Sequence, residues 1–153
     1  MPGVSLHRLL YFSRFSVAFP TLGPEQEEAI ANIIQTSMRN NRMAAVSGLL
    51  LIHDGWFVQV LEGPATAVAT TYDRIALDPR HEAVTLLSEG AAERRRFRDW
   101  DMCARRISNA DEAILDGLEA AGRFDPTRLT ADTGLDLLLS IRETQAGTLG
   151  ALL

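Results

Sequence analysis

The sequence predicts an α+β fold, a two-layer sandwich whose elements run βαββαββ before a helical C-terminal extension. Three observations carry that prediction. Short segments rich in β-formers and leucine alternate with amphipathic helical stretches. Asp54-Gly55 joins two of those segments as a tight hairpin. Gly63-Pro64 and Asp78-Pro79 then bracket the second helical stretch at its two ends.

The elements follow in order. LHRLLYFSR (6–14) reads as the first strand, closed by a turn in which Pro20, Gly23 and Pro24 are breakers. EQEEAIANIIQTSMRNN (25–41) reads as a helix, with acids in its first turn, Arg39 in its last, and an apolar stripe through Ile30, Ile33, Ile34 and Met38. VSGLLLIH (46–53) and WFVQVLE (56–62) are the hairpin strands. Pro64 suits the first position of a helix that carries Val68, Tyr72 and Ile75 and stops before Asp78-Pro79. HEAVTLLSEG (81–90) and WDMCARR (100–106) supply two more strands. The order is that of a ferredoxin-like unit, a five-stranded mixed sheet with two helices on one face.

Residues 1–108 form this unit, and 109–153 form the extension. Asn109 with Glu112 matches a capping box, followed by a stripe of Ile114, Leu115, Leu118 and Ala121 that Gly122 closes. Asp125-Pro126 opens a further segment, and Leu135, Leu138, Leu139 and Ile141 lie on a helix expected to end near Gly147. The strands are apolar on both faces, through Leu10 and Phe12, Leu49 and Leu51, and Val58 and Val60. One face therefore needs a cover besides the two long helices, and the extension is expected to supply it or to form the seam of a homo-oligomer.

Composition narrows the class. The 153 residues are 46% hydrophobic and 23% charged, as in an ordinary soluble domain. The longest apolar run, Leu49–Ile52, is far too short to span a membrane, and no secretory signal opens the chain. The single cysteine, Cys103, rules out an internal disulfide and fits a reducing cytoplasm. Twelve Arg balance twelve acids up to residue 106, whereas 107–153 hold three Arg against eight acids and so account for the net charge of −5. An acidic chain is a poor candidate for direct nucleic-acid binding. The cluster Arg94, Arg95, Arg96 and Arg98 is the local exception, expected to be a solvated loop or strand edge.

Several polar residues fall where apolar ones belong. Ser37 and Asn41 follow Ile30 and Ile34 down the inner stripe of the first helix. Tyr11 and Ser13 share a face of the first strand, and Gln59 interrupts the run Phe57–Leu61. Each has an ordinary reading alone: Asn41 as a helix cap, Ser37 bonded back to its own helix, Tyr11 as a core-edge residue with a wet hydroxyl, Gln59 as an amide satisfied by backbone. Trp100 and Met102 share a face near the last strand, where ordinary core is the plain reading. Together, Tyr11, Ser37, Asn41 and Gln59 can converge between the sheet and the first helix with no charge among them. Such a set suits a flat heteroaromatic ligand with an imide edge. The sequence has no Ser-His-Asp order, carboxylate pair, Gly-rich phosphate loop or metal-ligand spacing.

In LLYFSR (9–14), NNRMAAVSGLLL (40–51), FVQVLEGP (57–64), DPRH (78–81) and RRFRDWDM (95–102), the sequence resembles the BLUF family of blue-light sensors that bind FAD without a covalent link. The resemblance covers about the first 105 residues, and it is the order and spacing of the pieces that make it specific. It implies FAD as cofactor, with FMN or riboflavin as alternatives, and Tyr11 as the photochemical electron donor hydrogen-bonded to Gln59. It implies that Asn41 holds the pyrimidine edge of the flavin, with Ser37 and Asn40 at the same helix end, Ile33 and Ile34 against the ring, and Ser13 close by. Arg80 and His81 match positions near the ribityl and phosphate portion, and Trp100 and Met102 match the pair that reports the state of the glutamine. A stand-alone short receptor follows, acting on a downstream protein partner rather than on a substrate. Two rivals stand beside it. One is an acylphosphatase-like enzyme using Arg14 and Asn41, which lacks that family's loop motif. The other is a flavin-holding adaptor or redox protein with no light response, against which Tyr11 and Gln59 argue.

Overall fold

The structure, a computed structural model, describes residues 6–15, 45–53, 55–97, 101–106 and 125–152, together with positions 28, 32, 35, 36 and 39; for 53, 101–106 and 142–152 it describes backbone alone. The elements are β1 (Leu6–Phe15), β2 (Ser47–His53), β3 (Trp56–Pro64), α1 (Ala65–Leu77), β4 (His81–Ala91), β5 (Asp101–Arg106), a 3₁₀ turn at Pro126–Arg128 and α2 (Ala131–Leu152). Between β1 and β2, Glu28, Asn32, Gln35, Thr36 and Arg39 are helical. Glu28, Asn32, Gln35 and Arg39 are exposed and recur at helical spacing, so they mark the outer, polar face of the helix expected there.

The sheet order is β4-β1-β3-β2-β5. The first four strands are antiparallel to their neighbours, and β5 adds to β2 in parallel. The hairpin turn holds Gly55 at φ +79°, a conformation that glycine adopts without steric cost. The alternation in β1, β2 and β3 builds two cores. On one face Leu9, Tyr11, Phe15, Leu50, Ile52, Phe57, Leu61 and Val68 of α1 pack together. On the other, Leu10, Phe12, Leu49, Leu51, Val58, Val60 and Phe97 pack with Leu138 and Ile141 of α2. Each such side chain contributes roughly 1.5–3 kcal/mol of hydrophobic stabilisation when fully buried, so neither face could be left open to water. Contact on the second face is close at Gly134, where a Cβ would lie 2.9 Å from Leu10 Cδ2.

Edge strand β4 departs from simple alternation. Its register on β1 shifts twice, between Leu10 and Tyr11 and between Phe12 and Arg14, and Ala83 has φ +52°. These bulges twist the edge and blunt it against pairing with another chain.

Three expectations need correction. Pro64 ends β3 and is the N-cap of α1 rather than its first helical residue. α2 does not stop near Gly147 but runs to Leu152, because an interior glycine costs a helix only about 1 kcal/mol. Its start is set by Thr130 and Thr133, each of which donates its backbone N–H to the other's hydroxyl. The arginine cluster is not wholly a solvated edge either. Arg94 and Arg96 are exposed, but Arg95 is half-buried and binds β2, β3 and the turn at Ala45. The capping box and stripe expected over 109–122 lie outside the described residues.

Candidate functional site

Tyr11 and Gln59 are directly opposed partners in the β1/β3 ladder, at the centre of the sheet. Direct opposition brings their side chains together on one face, and the Tyr11 hydroxyl donates to Gln59 Oε1. Both residues are 1% exposed. Burial pushes the Tyr11 phenol far above its ordinary range, and the nearby Tyr72 and Asp78 push the same way. The phenol is therefore neutral and holds its proton on the glutamine. The Tyr72 ring meets the Tyr11 ring edge-on at 5.6 Å.

One step along β1, Ser13 Oγ lies 2.8 Å from His81 Nδ1, and the His81 ring sits 4.5 Å from that of Phe57. Burial lowers the pKa of His81 to about 4; Arg80 adds to this and Asp78 opposes it. The imidazole is thus neutral at neutral pH. Strict alternation would put His81 and Val84 on opposite faces of β4, yet both pack on the Tyr11 face, because the bulge at Ala83 adds a residue between them.

Arg80 stands at the rim of this face. Its Nη2 donates to Asp78 Oδ2 at 2.7 Å, its Nε to Oδ1 at 3.0 Å, and its Nη1 to Asn32 Oδ1 at 2.7 Å. Burial alone would raise Asp78, but hydrogen bonds and charge from Arg80 outweigh it and hold the carboxyl below the usual range. The sequence reading missed Asp78 as the Arg80 partner, taking it only as a helix stop. The Asp-Pro-x turn was the available signal, since the Asp78 carboxylate accepts the Arg80 backbone N–H at 2.9 Å. Tyr72 and Asn32 were missed too; they are ordinary helical residues without a sequence signal.

Among the expected site residues, Tyr11, Ser13, Gln59 and His81 come together, with Arg80 beside them. Met102 is on β5, where the register on β2 shifts between Gly48 and Leu49. Ile33, Ile34, Ser37, Asn40, Asn41 and Trp100 lie outside the described residues. Arg14 is on the opposite face, 4.6 Å over the ring of Trp56, so it does not share a site with Tyr11 and Gln59. An open cavity of about 220 Å³ between β1, β4 and α2, lined by Arg8, Leu10, Glu89 and Asp132, is also on that far side. Among the described residues no group of His, Cys, Asp and Glu could hold a metal ion, and no helix is long and apolar enough to cross a membrane.

Neutral donors and acceptors, buried on the sheet face that α1 covers, fit the uncharged ring edge of a flavin, and Arg80 beside them is held by Asp78 and Asn32. Fold and site together define a small ferredoxin-like domain with a neutral binding face. The family described as "BLUF: Sensors of blue-light using FAD" matches residues 6–103, and the chain belongs to it. The cofactor of that family is FAD.

Two relatives illustrate the range. Photoactivated adenylate cyclase subunit beta of Euglena gracilis is 31% identical over 100 residues, covering 64% of this chain and 11% of that protein. The blue light- and temperature-regulated antirepressor BluF of Escherichia coli K12 is 36% identical over 92 residues, 60% of this chain and 21% of that one. The chain thus spans about a tenth of the cyclase subunit and a fifth of the antirepressor. Among solved structures, the dark state of BlrB, a BLUF protein, aligns with TM-score 0.70 and 26% identity over 90% of this chain and 94% of that one. BlsA in its ground state aligns with TM-score 0.75 at 22% identity, over 88% and 87%, which is a likeness of fold.

Proposed function

We propose that this protein is a blue-light receptor whose switch is the hydrogen bond between Tyr11 and Gln59. One observation carries the reading: these two neutral, buried side chains are bonded to each other at the centre of the sheet. FAD, when bound, supplies the absorption of blue light and an acceptor for one electron. Asn41, Ser37 and Asn40 would hold its pyrimidine edge, Ile33 and Ile34 its ring, and Arg80 with His81 its tail.

The rest is the work of the chain. A phenol that loses an electron becomes a strong acid, so the Tyr11 proton follows along the bond to Gln59 Oε1. A carboxamide carries a donor and an acceptor at opposite ends, and it can exchange them in place by rotation or by tautomerism. When the electron and the proton have both returned to Tyr11, Gln59 is left with its donor end where its acceptor was. A neutral His81–Ser13 pair lies alongside and adds no charge of its own to favour one arrangement. The new arrangement is relayed through Trp100 and Met102 to β5, then to the C-terminal helices of a homo-oligomer and to a downstream protein partner, with no turnover of substrate. α2 is suited to that role because it packs on the reverse of the strands that carry Tyr11 and Gln59.

The purified protein is expected to be yellow and to show a red-shifted absorption band after blue light. Tyr11→Phe and Gln59→Leu should each retain flavin and lose that shift. A normal shift in either variant refutes the assignment. In the full chain, oligomer size or partner binding should differ between dark and light; identical assembly in both would remove the output route.

A further inference from the structure

The arginine cluster before β5 meets a buried acid three residues beyond Gln59. Glu62 of β3 has a fully buried side chain. Its Oε2 accepts from Arg8 Nε at 2.7 Å, and its Oε1 accepts the backbone N–H of Phe97 at 2.7 Å and of Arg96 at 2.8 Å. Arg8 Nη2 donates onward to the Arg94 carbonyl at 3.0 Å. Arg95 reaches the other way. Its Nη1 donates to Ser47 Oγ at 2.9 Å and to the Glu62 carbonyl at 3.1 Å, and its Nη2 to the Ala45 carbonyl at 2.7 Å. Residues 94–97 are thereby tied to β1, β2 and β3 at one end of the sheet, with Phe97 buried as a plug in the far-face core. Gly63 makes room for this junction, since a Cβ there would lie 2.9 Å from the Ala45 carbonyl oxygen.

β5 needs such an anchor. Among the described residues it is an edge strand paired with β2 alone, in parallel, so no hairpin turn sets its register. Its pairing opens at Gly48↔Asp101, next to the clamped Ser47, and slips by one residue at Met102 before resuming at Leu49↔Cys103. Only residues 98–100 separate the buried Phe97 from Asp101, so the start of β5 lies within about 14 Å of the Phe97 Cα. Buried polar groups can fix a register, the best attested of their roles in conformational specificity.

We infer that the Glu62–Arg8–Arg95 clamp is a positioning device: it holds residues 94–97 against three strands and thereby sets where β5 lies on β2. Its consequence for light signalling rests on the function proposed above, because β5 carries Met102; its consequence for β5 does not. Glu62→Gln turns an amide donor towards Arg8 or towards the backbone N–H groups of Arg96 and Phe97. Arg95→Met removes the ties to Ser47, Glu62 and Ala45 and leaves the Arg8–Glu62 pair intact, so it serves should the Glu62 variant not fold.

Hydrogen exchange of the flavin-loaded protein in the dark is the test. In either variant the amides of 101–106 should exchange about tenfold faster, the scale of losing a charge-assisted hydrogen bond, while those of β1 and β3 keep wild-type rates. After blue light, the variants should retain the red shift and recover in the dark at a rate changed by at least about threefold, because the reporting strand has a different resting position. Wild-type exchange at 101–106, or acceleration spread evenly over the sheet, overturns the clamp. A wild-type protein with no spectral response sinks the photoreceptor reading instead, and the exchange result still decides the clamp.

Discussion

Gln59 and Glu62 stand three residues apart on β3, both polar and both buried, and their surroundings are opposite in kind. Gln59 meets a neutral phenol, with a neutral imidazole and a serine hydroxyl nearby. Glu62 meets a guanidinium and two backbone N–H groups aimed at its carboxylate. An amide beside neutral partners can exchange its donor and acceptor ends at less electrostatic cost than a charged group in the same place. A carboxylate in a ring of donors has one arrangement, and leaving it is costly. The same strand therefore carries the residue to which the switch is proposed to belong and a part held in one arrangement, and a switch can move something only relative to a part that stays put.

That contrast can be broken at several points. The largest effect is expected from Glu62→Leu, which removes the partner of Arg8 and the acceptor shared by two N–H groups. Urea unfolding should show a loss of about 3–5 kcal/mol, and a loss under 1 kcal/mol would mean that the carboxylate is not holding the junction.

Next comes acid. His81 is held neutral in the folded state with a pKa of about 4, below its value of 6.5 when exposed, so the unfolded chain binds more protons between those values. Its contribution is fully present above pH 6.5 and is lost as pH falls towards 4, by about 3 kcal/mol in all. Stability measured across that window should slope for the wild type and flatten in His81→Asn. Equal slopes would place the titration elsewhere.

The smallest cost in stability is expected from Tyr11→Phe, about 1 kcal/mol, because the substitution removes one neutral hydrogen bond and preserves the ring. Its effect on the light response should nonetheless be complete. A variant that is far less stable, or still photoactive, would contradict the separation of switch from scaffold.

Much of this was legible in one dimension. Alternation in LHRLLYFSR, the Asp54-Gly55 turn and the prolines after Gly63 and Asp78 are local signals, and strands, hairpin and α1 formed where those signals put them. Tyr11 and Gln59 stood out because each is polar in an apolar run. Glu62 did not stand out: a glutamate near a strand end is usually exposed, and its burial is explained only by donors that lie 34 and 54 residues away. Arg95 was hidden for a similar reason, since the same sequence describes a solvated loop until Ser47 and Ala45 are brought beside it. His81 was assigned by likeness alone. Its face depends on a bulge at Ala83, and nothing in the local pattern of β4 announces an extra residue.

The order of the elements, the apolar character of both sheet faces and the misplaced neutral polar residues were determined by the sequence, because propensity, periodicity and turn chemistry act over a few neighbouring residues. The tertiary structure alone decided that Tyr11 opposes Gln59, that His81 turns inward and that Glu62 gathers Arg8 with the segment before β5. Those outcomes depend on register and on bonds between residues distant in sequence, whose free energy exists only once the sheet has assembled.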